Sequence, residues 1–149
     1  MSASFQAVNK PLHLGLFGAT CLTTFSTFFL LFGGGVSGSI EDKLWGSALY
    51  AGVVMLILLC HEMGHYLMAR AHGVDATWPF FIPFPLGFGT LGAVIRLRGR
   101  IPTKDVLVDI GAGGPLAGLL IAVPMLFVGA ALSHVERMPE GLASGFPPT

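Results

Sequence analysis

The sequence predicts an all-α membrane protein: a polytopic helical bundle of about three transmembrane helices with a small membrane-associated β hairpin or sheet. Three observations predict it. Of the 149 residues 53% are hydrophobic and only 11% charged, against about 25% charged in an ordinary soluble domain, and the mean hydropathy is +0.75. Three apolar runs each match the roughly 20 residues needed to cross a hydrocarbon core. Between the second and third, a Pro- and Gly-rich stretch gives way to a period-two pattern. Eight Lys plus Arg balance eight Asp plus Glu, so there is no basic excess to neutralise a phosphate backbone, and nucleic acid is not an expected partner.

The first run, about residues 12–32, has no charged residue; the second, about 44–69, carries only Glu62; the third, about 106–132, carries only Asp109. Lys10 ahead of the first run and the small residues from Gly33 to Ser39 leave a signal peptide open as an alternative, although the run exceeds a usual signal core. Orientation follows from the basic residues of the loops. Lys10, Arg70, Arg96, Arg98, Arg100 and Lys104 fall on one side, Lys43 and Arg137 on the other, which places the N-terminus in the cytoplasm. Cys21 and Cys60 lie in apolar runs without redox or zinc-knuckle spacing, and read as small buried residues.

The β element is expected over about residues 78–100. From Trp78 to Gly89 the chain is too apolar to be solvated and too rich in Pro and Gly for a helix, so it should dip into the interface or the bundle. From Leu91 the alternation puts Leu91, Ala93, Ile95 and Leu97 on one face and Thr90, Gly92, Val94, Arg96 and Arg98 on the other, a strand pattern. Non-helical backbone at membrane depth must be covered by protein or line a wet cavity. In the third run Gly114 and Gly118 have the small-xxx-small spacing of closely packed helices, and Pro115 and Pro124 should locally open or kink it. With no internal repeat, residues 1–149 read as one membrane-embedded domain.

The second run ends in His61-Glu62-Met63-Gly64-His65, an HExxH match. On a helix the two His stand one turn apart on nearly the same face, so both imidazoles can reach one metal. Glu62, about 100° round the helix, can approach a water without being a ligand. Zn2+ suits such nitrogen ligands, and Glu62 would then act as general base and acid in hydrolysis. A hydrogen-bonded polar cluster and a bis-imidazole haem site are the alternatives. His61 lies nine residues before Arg70, roughly 13 Å of helix rise, which puts the motif inside the bilayer near the cytoplasmic face.

The HExxH at the end of a span, followed by Phe81-Ile82-Pro83, Leu91-Gly92-Ala93-Val94-Ile95 and Asp109 through Gly114-Pro115-Leu116-Ala117-Gly118, resembles the site-2 protease family of intramembrane zinc metalloproteases. The order is most similar to bacterial members related to the plant chloroplast branch, over roughly residues 45–132. The resemblance implies an intramembrane endopeptidase of a bacterial inner membrane that cuts a transmembrane protein substrate, with His61 and His65 as zinc ligands and Glu62 catalytic. It also implies an aspartate ligand in an Asp-Gly pair, which these residues lack; the third ligand is expected beyond Thr149, in a longer protease. Asp109 matches a recurrent non-ligand position, Asp105 is a weak substitute, and His72 and His134 read as interfacial. A protease must hold its substrate extended, so the strand at Gly92, Ala93 and Val94 is a candidate substrate edge, or else a structural hairpin. The alternative function is a non-catalytic pseudoprotease or fragment that binds a membrane partner.

Overall fold

A computed structural model describes residues 10–32 and 39–133. Helix α1 (Lys10–Thr27) runs into a π-helical turn over Phe28–Phe32, followed by α2 (Ile40–Ala71), strands β1 (Phe80–Pro83) and β2 (Thr90–Val94), and α3 (Lys104–Leu132). Among the described residues three helices are long and apolar enough to cross a membrane, and with the two-stranded antiparallel sheet they form the expected helical membrane bundle. Outward-facing residues such as Leu120 and Phe127, 74% and 70% exposed, present the apolar surface that lipid requires. The tail with His134 and the residues 33–38 lie outside the described residues.

The ends of the helices follow from polar residues that lie outside the apolar runs. Ser39 and Asp42 form a reciprocal cap: the Ser39 N–H donates to the Asp42 carboxylate (2.8 Å) and the Asp42 N–H to Ser39 Oγ (3.3 Å). Helix α2 therefore begins at Ile40, earlier than the apolar run, and Lys43 belongs to its first turn rather than to a loop. At the other end the His72 N–H caps onto Met68 and Arg70 carbonyls, Gly73 takes a φ of +70°, and the Val74 N–H returns to Ala69 O at 2.8 Å. The 32 residues of α2 rise about 48 Å, more than a roughly 30 Å hydrocarbon core, so the helix tilts or projects. Thr103 caps α3 through the Val106 N–H, and α3 continues through both Pro115 and Pro124.

The Pro-rich segment supplies β1, the partner that the period-two pattern needs. Phe80 pairs with Val94, Phe81 with Ala93 and Pro83 with Thr90, with an irregularity between Phe81 and Pro83, where proline has no N–H to give. β2 is shorter than the sequence pattern and its faces differ from the expected ones. Gly92 has a φ of +101°, which interrupts the alternation; Leu91 is 65% exposed, whereas Ile95 and Leu97 pack on a core of Ala69, Val74, Ala76 and Ile110. Beyond Val94 the chain stays extended against residues 75–77, through Thr77 N–H to Arg96 O (2.9 Å) and Arg98 N–H to Asp75 O (2.8 Å).

The hairpin enters the bundle, as expected of a segment that is neither soluble nor helical. Its base is tied to α1 by His13, whose Nδ1 lies 2.9 Å from Pro79 O, and Phe17 meets Phe81 edge-on at 5.0 Å. At its tip Gly89 lies so close to the Thr24 backbone that a Cβ there would collide with it, and Tyr50 of α2 donates to Phe88 O at 3.1 Å. From His13 to Thr24 α1 rises about 16 Å, so the hairpin reaches well into the span. Thr20 and Thr24 keep this surface slim, with hydroxyls turned back onto the Leu16 and Thr20 carbonyls. Past the tip the π-helical turn after α1 meets α2 directly, Phe28 stacking on Tyr50 at 4.8 Å.

Candidate metal centre

Helices α2 and α3 meet along a seam of glycines, and this seam makes room for the histidines. A Cβ on Gly64 would strike the Gly113 carbonyl, and one on Gly113 the Met68 side chain. One on Gly114 would fall within the His65 ring, and one on Gly118 would stand 3.3 Å from His61 Cβ and Nδ1. The small-xxx-small spacing thus serves both close helix approach and the seating of two imidazoles.

His61 Nε2 and His65 Nε2 face each other at 3.1 Å, their rings 79° apart. His65 Nδ1 lies 2.7 Å from Ile110 O; a carbonyl only accepts, so Nδ1 carries the proton and Nε2 presents its lone pair toward His61. Two nitrogens each about 2.0–2.1 Å from a tetrahedral zinc ion stand about 3.3 Å apart, close to the spacing found. The pair therefore fits two ligand positions of such an ion, with the backbone of α3 fixing the tautomer of one ring. It also forms a hydrogen bond as it stands. A haem between the imidazoles does not fit, because a 3.1 Å nitrogen separation leaves no room for a macrocycle.

Glu62 is buried on the neighbouring face of α2, 6% exposed, with the Ile95 backbone beside its carboxylate. In an antiparallel ladder alternate residues turn their N–H and C=O to opposite sides. Arg96 turns its own to Thr77, so Ile95 and Ala93 turn theirs away from β1, toward the unpaired edge of the sheet. A cavity of about 340 Å³ brings together Glu62, His65, Ala93, Val94 and Ile95. Gly92 is not on its wall. A second cavity of about 320 Å³, across the hairpin between α1 and α2, is lined by Phe17, Met63, Trp78 and Phe81 and is apolar apart from His13 and Tyr66.

Among the described residues no group of three or more His, Cys, Asp or Glu converges as a metal site. Asp109 is engaged elsewhere: its carboxylate is 3.0 Å from His72 Nε2, just past the end of α2, and Asp105 is exposed in the first turn of α3. The groups that the sequence does not single out are the Ile110 carbonyl, the Ile95 backbone and His13. The first two are backbone groups, which any residue type would supply; His13, buried inside the first apolar run, was the one with a visible signal.

The family model described as Peptidase family M50 matches residues 49–147. The chain is 43% identical over 81 residues to "Probable zinc metalloprotease EGY1, chloroplastic" of Oryza sativa subsp. japonica, covering 54% of this chain and 14% of that protein. The protein of the same name from Arabidopsis thaliana is 40% identical over 80 residues, with the same coverage. "Probable zinc metalloprotease EGY2, chloroplastic" of Arabidopsis thaliana is 34% identical over 90 residues, 60% of this chain and 15% of that protein. The chain thus matches about 14–15% of the length of these relatives. No solved structure matches it. The family match begins within α2 ahead of the histidine pair and takes in the hairpin and the glycine seam of α3; the chain belongs to peptidase family M50.

Proposed function

We propose that this chain is part of a zinc-dependent intramembrane endopeptidase that hydrolyses a peptide bond within or near a transmembrane segment of a membrane-protein substrate, as in regulated intramembrane proteolysis. The observation that carries this reading is the facing His61 and His65 Nε2 pair, 3.1 Å apart, with Glu62 beside it in the middle of an apolar helix. Placing two half-buried imidazoles and a buried carboxylate inside an apolar span costs several kcal/mol unless they are paired or bound to something. His61 and His65 hold the metal, and a third ligand comes from outside the described residues. Zinc, when bound, supplies Lewis-acid polarisation of a carbonyl and of water. Glu62 takes a proton from the attacking water as the C–O bond forms and delivers it to the leaving amine nitrogen as the C–N bond breaks. The protein resides in a bacterial inner membrane with the N-terminus in the cytoplasm, the orientation that its loop charges favour.

The test is metal content and cleavage of a membrane substrate by the longest protein containing this chain, beside His65→Ala. Zinc near one per chain in the parent, lost with cleavage in His65→Ala, is the expected result. A parent with no zinc and no cleavage supports the non-catalytic reading.

The edge at Gly92, Ala93 and Val94 is proposed to seat the substrate as an added strand next to Glu62. Ala93 is the informative position, because its N–H points away from β1. Ala93→Pro removes that donor and leaves the β1 ladder intact. Cleavage should fall at least about tenfold, the worth of one lost hydrogen bond of roughly 1.5 kcal/mol, with zinc content unchanged. Equal turnover would make the hairpin purely structural.

A further inference from the structure

Four cations crowd the stretch that follows β2: Arg96, Arg98, Arg100 and Lys104, all exposed. The ion pairs seen among the described residues, Arg70 with Asp75 and His72 with Asp109, do not include them. The nearest carboxylate in sequence, Asp105, is itself exposed on α3. The backbone beneath them is fixed. Arg96 exchanges hydrogen bonds with Thr77 on both its N–H and its C=O, the Arg98 N–H is held by Asp75 O, and Ile95 and Leu97 between them are packed on the core. Alternation then leaves the basic side chains no direction but outward.

Their height in the fold gives the charge a meaning. Leu97 bridges Ala76, five residues beyond the end of α2, and Lys104 opens α3, so the run lies where two spans leave the membrane. Trp78, 42% exposed, stands two residues from that bridge, in the position of an interfacial aromatic. The opposite end of the bundle differs: the first turn of α2 carries Glu41 and Asp42 against Lys43.

We propose that Arg96, Arg98, Arg100 and Lys104 form a docking strip for the phosphate headgroups of anionic phospholipids in the leaflet at that end of the bundle. Basic residues just outside a span each enrich anionic lipid roughly fivefold at the surface, and guanidinium groups engage phosphate oxygens in pairs. The proposal does not depend on protease activity.

The test uses the whole chain with Trp45→Phe, leaving Trp78 as the sole tryptophan, in phosphatidylcholine nanodiscs containing a trace of pyrene-labelled phosphatidylglycerol or pyrene-labelled phosphatidylcholine. Energy transfer from Trp78 should report enrichment of the phosphatidylglycerol label by about fivefold or more at low salt, falling toward parity in roughly 0.5 M salt. Arg96→Gln with Arg98→Gln and Arg100→Gln should abolish most of that preference, while the three corresponding Arg→Lys changes retain it, which separates charge from folding. Equal transfer to both labels in the parent, or a preference untouched by the Gln changes, overturns the proposal. So does displacement of the label by millimolar inorganic phosphate, which would make the strip a free-anion site, or by oligoglutamate, which would assign it to an acidic protein segment.

Discussion

Glu62→Gln is expected to lower cleavage by about 10²–10⁴-fold, the usual worth of a positioned general base, and to leave bound zinc unchanged. Glutamine has the shape of glutamate and keeps its place beside Ile95 on the cavity wall. It cannot take up a proton. Because Glu62 is turned about 100° from His61 round the helix, its loss should not cost a ligand. Parallel metal analysis and cleavage of a membrane substrate check both halves of this expectation. Parental turnover in the variant would remove Glu62 from the mechanism, and loss of zinc would make it a ligand. Glu62→Ala is the less informative change, since it also removes the side chain's bulk from the cavity wall.

A single methyl group on α3 should be almost as damaging. In Gly114→Ala the new Cβ would fall inside the present position of the His65 imidazole. The ring has to swing away, giving up the 2.7 Å bond from Nδ1 to Ile110 O and the convergence of the two Nε2 atoms. Loss of such a supporting bond typically weakens metal binding 10–100-fold, so zinc retained through dialysis should drop by about that factor, with cleavage following. Gly118→Ala, whose Cβ would stand 3.3 Å from His61, should be milder. Gly111→Ala is the control: nothing lies within 4 Å of its Cβ, and replacing an exposed helical glycine gains about 0.5–1 kcal/mol. Equal zinc in all three proteins would mean that the seam does not shape the site.

The spans were legible because hydrophobic length is a direct physical requirement of the bilayer, and their ends were misread where capping decides them, as at Ser39 and Asp42. The motif on α2 was legible because two imidazoles four residues apart must share a helix face. The glycines of α3 were read as packing residues, but which side chains they admit depends on the rotation of one helix against the other, which no spacing reveals. The hairpin was half legible. The alternation around Ala93 and Ile95 announced a strand, but its partner hid among prolines, and Gly92 upset the predicted faces through a backbone angle that only the fold discloses. Asp109 could be set aside as a ligand from sequence; its pairing with His72 could not be foreseen, because it depends on how the end of one span meets the start of the next.

The placement of the hairpin also bears on the order in which the protein can assemble. Its tip is gripped by Thr24 on α1 and Tyr50 on α2, and its outer edge meets Glu62, also on α2. All of these precede the hairpin in the chain, so the slot can exist before α3 has entered the membrane. The seam that seats the histidines cannot, because its far wall is Gly113, Gly114 and Gly118. A chain emerging from its N-terminus can thus settle Glu62 against Ile95 first, while His61 and His65 acquire their final positions only when α3 closes over them.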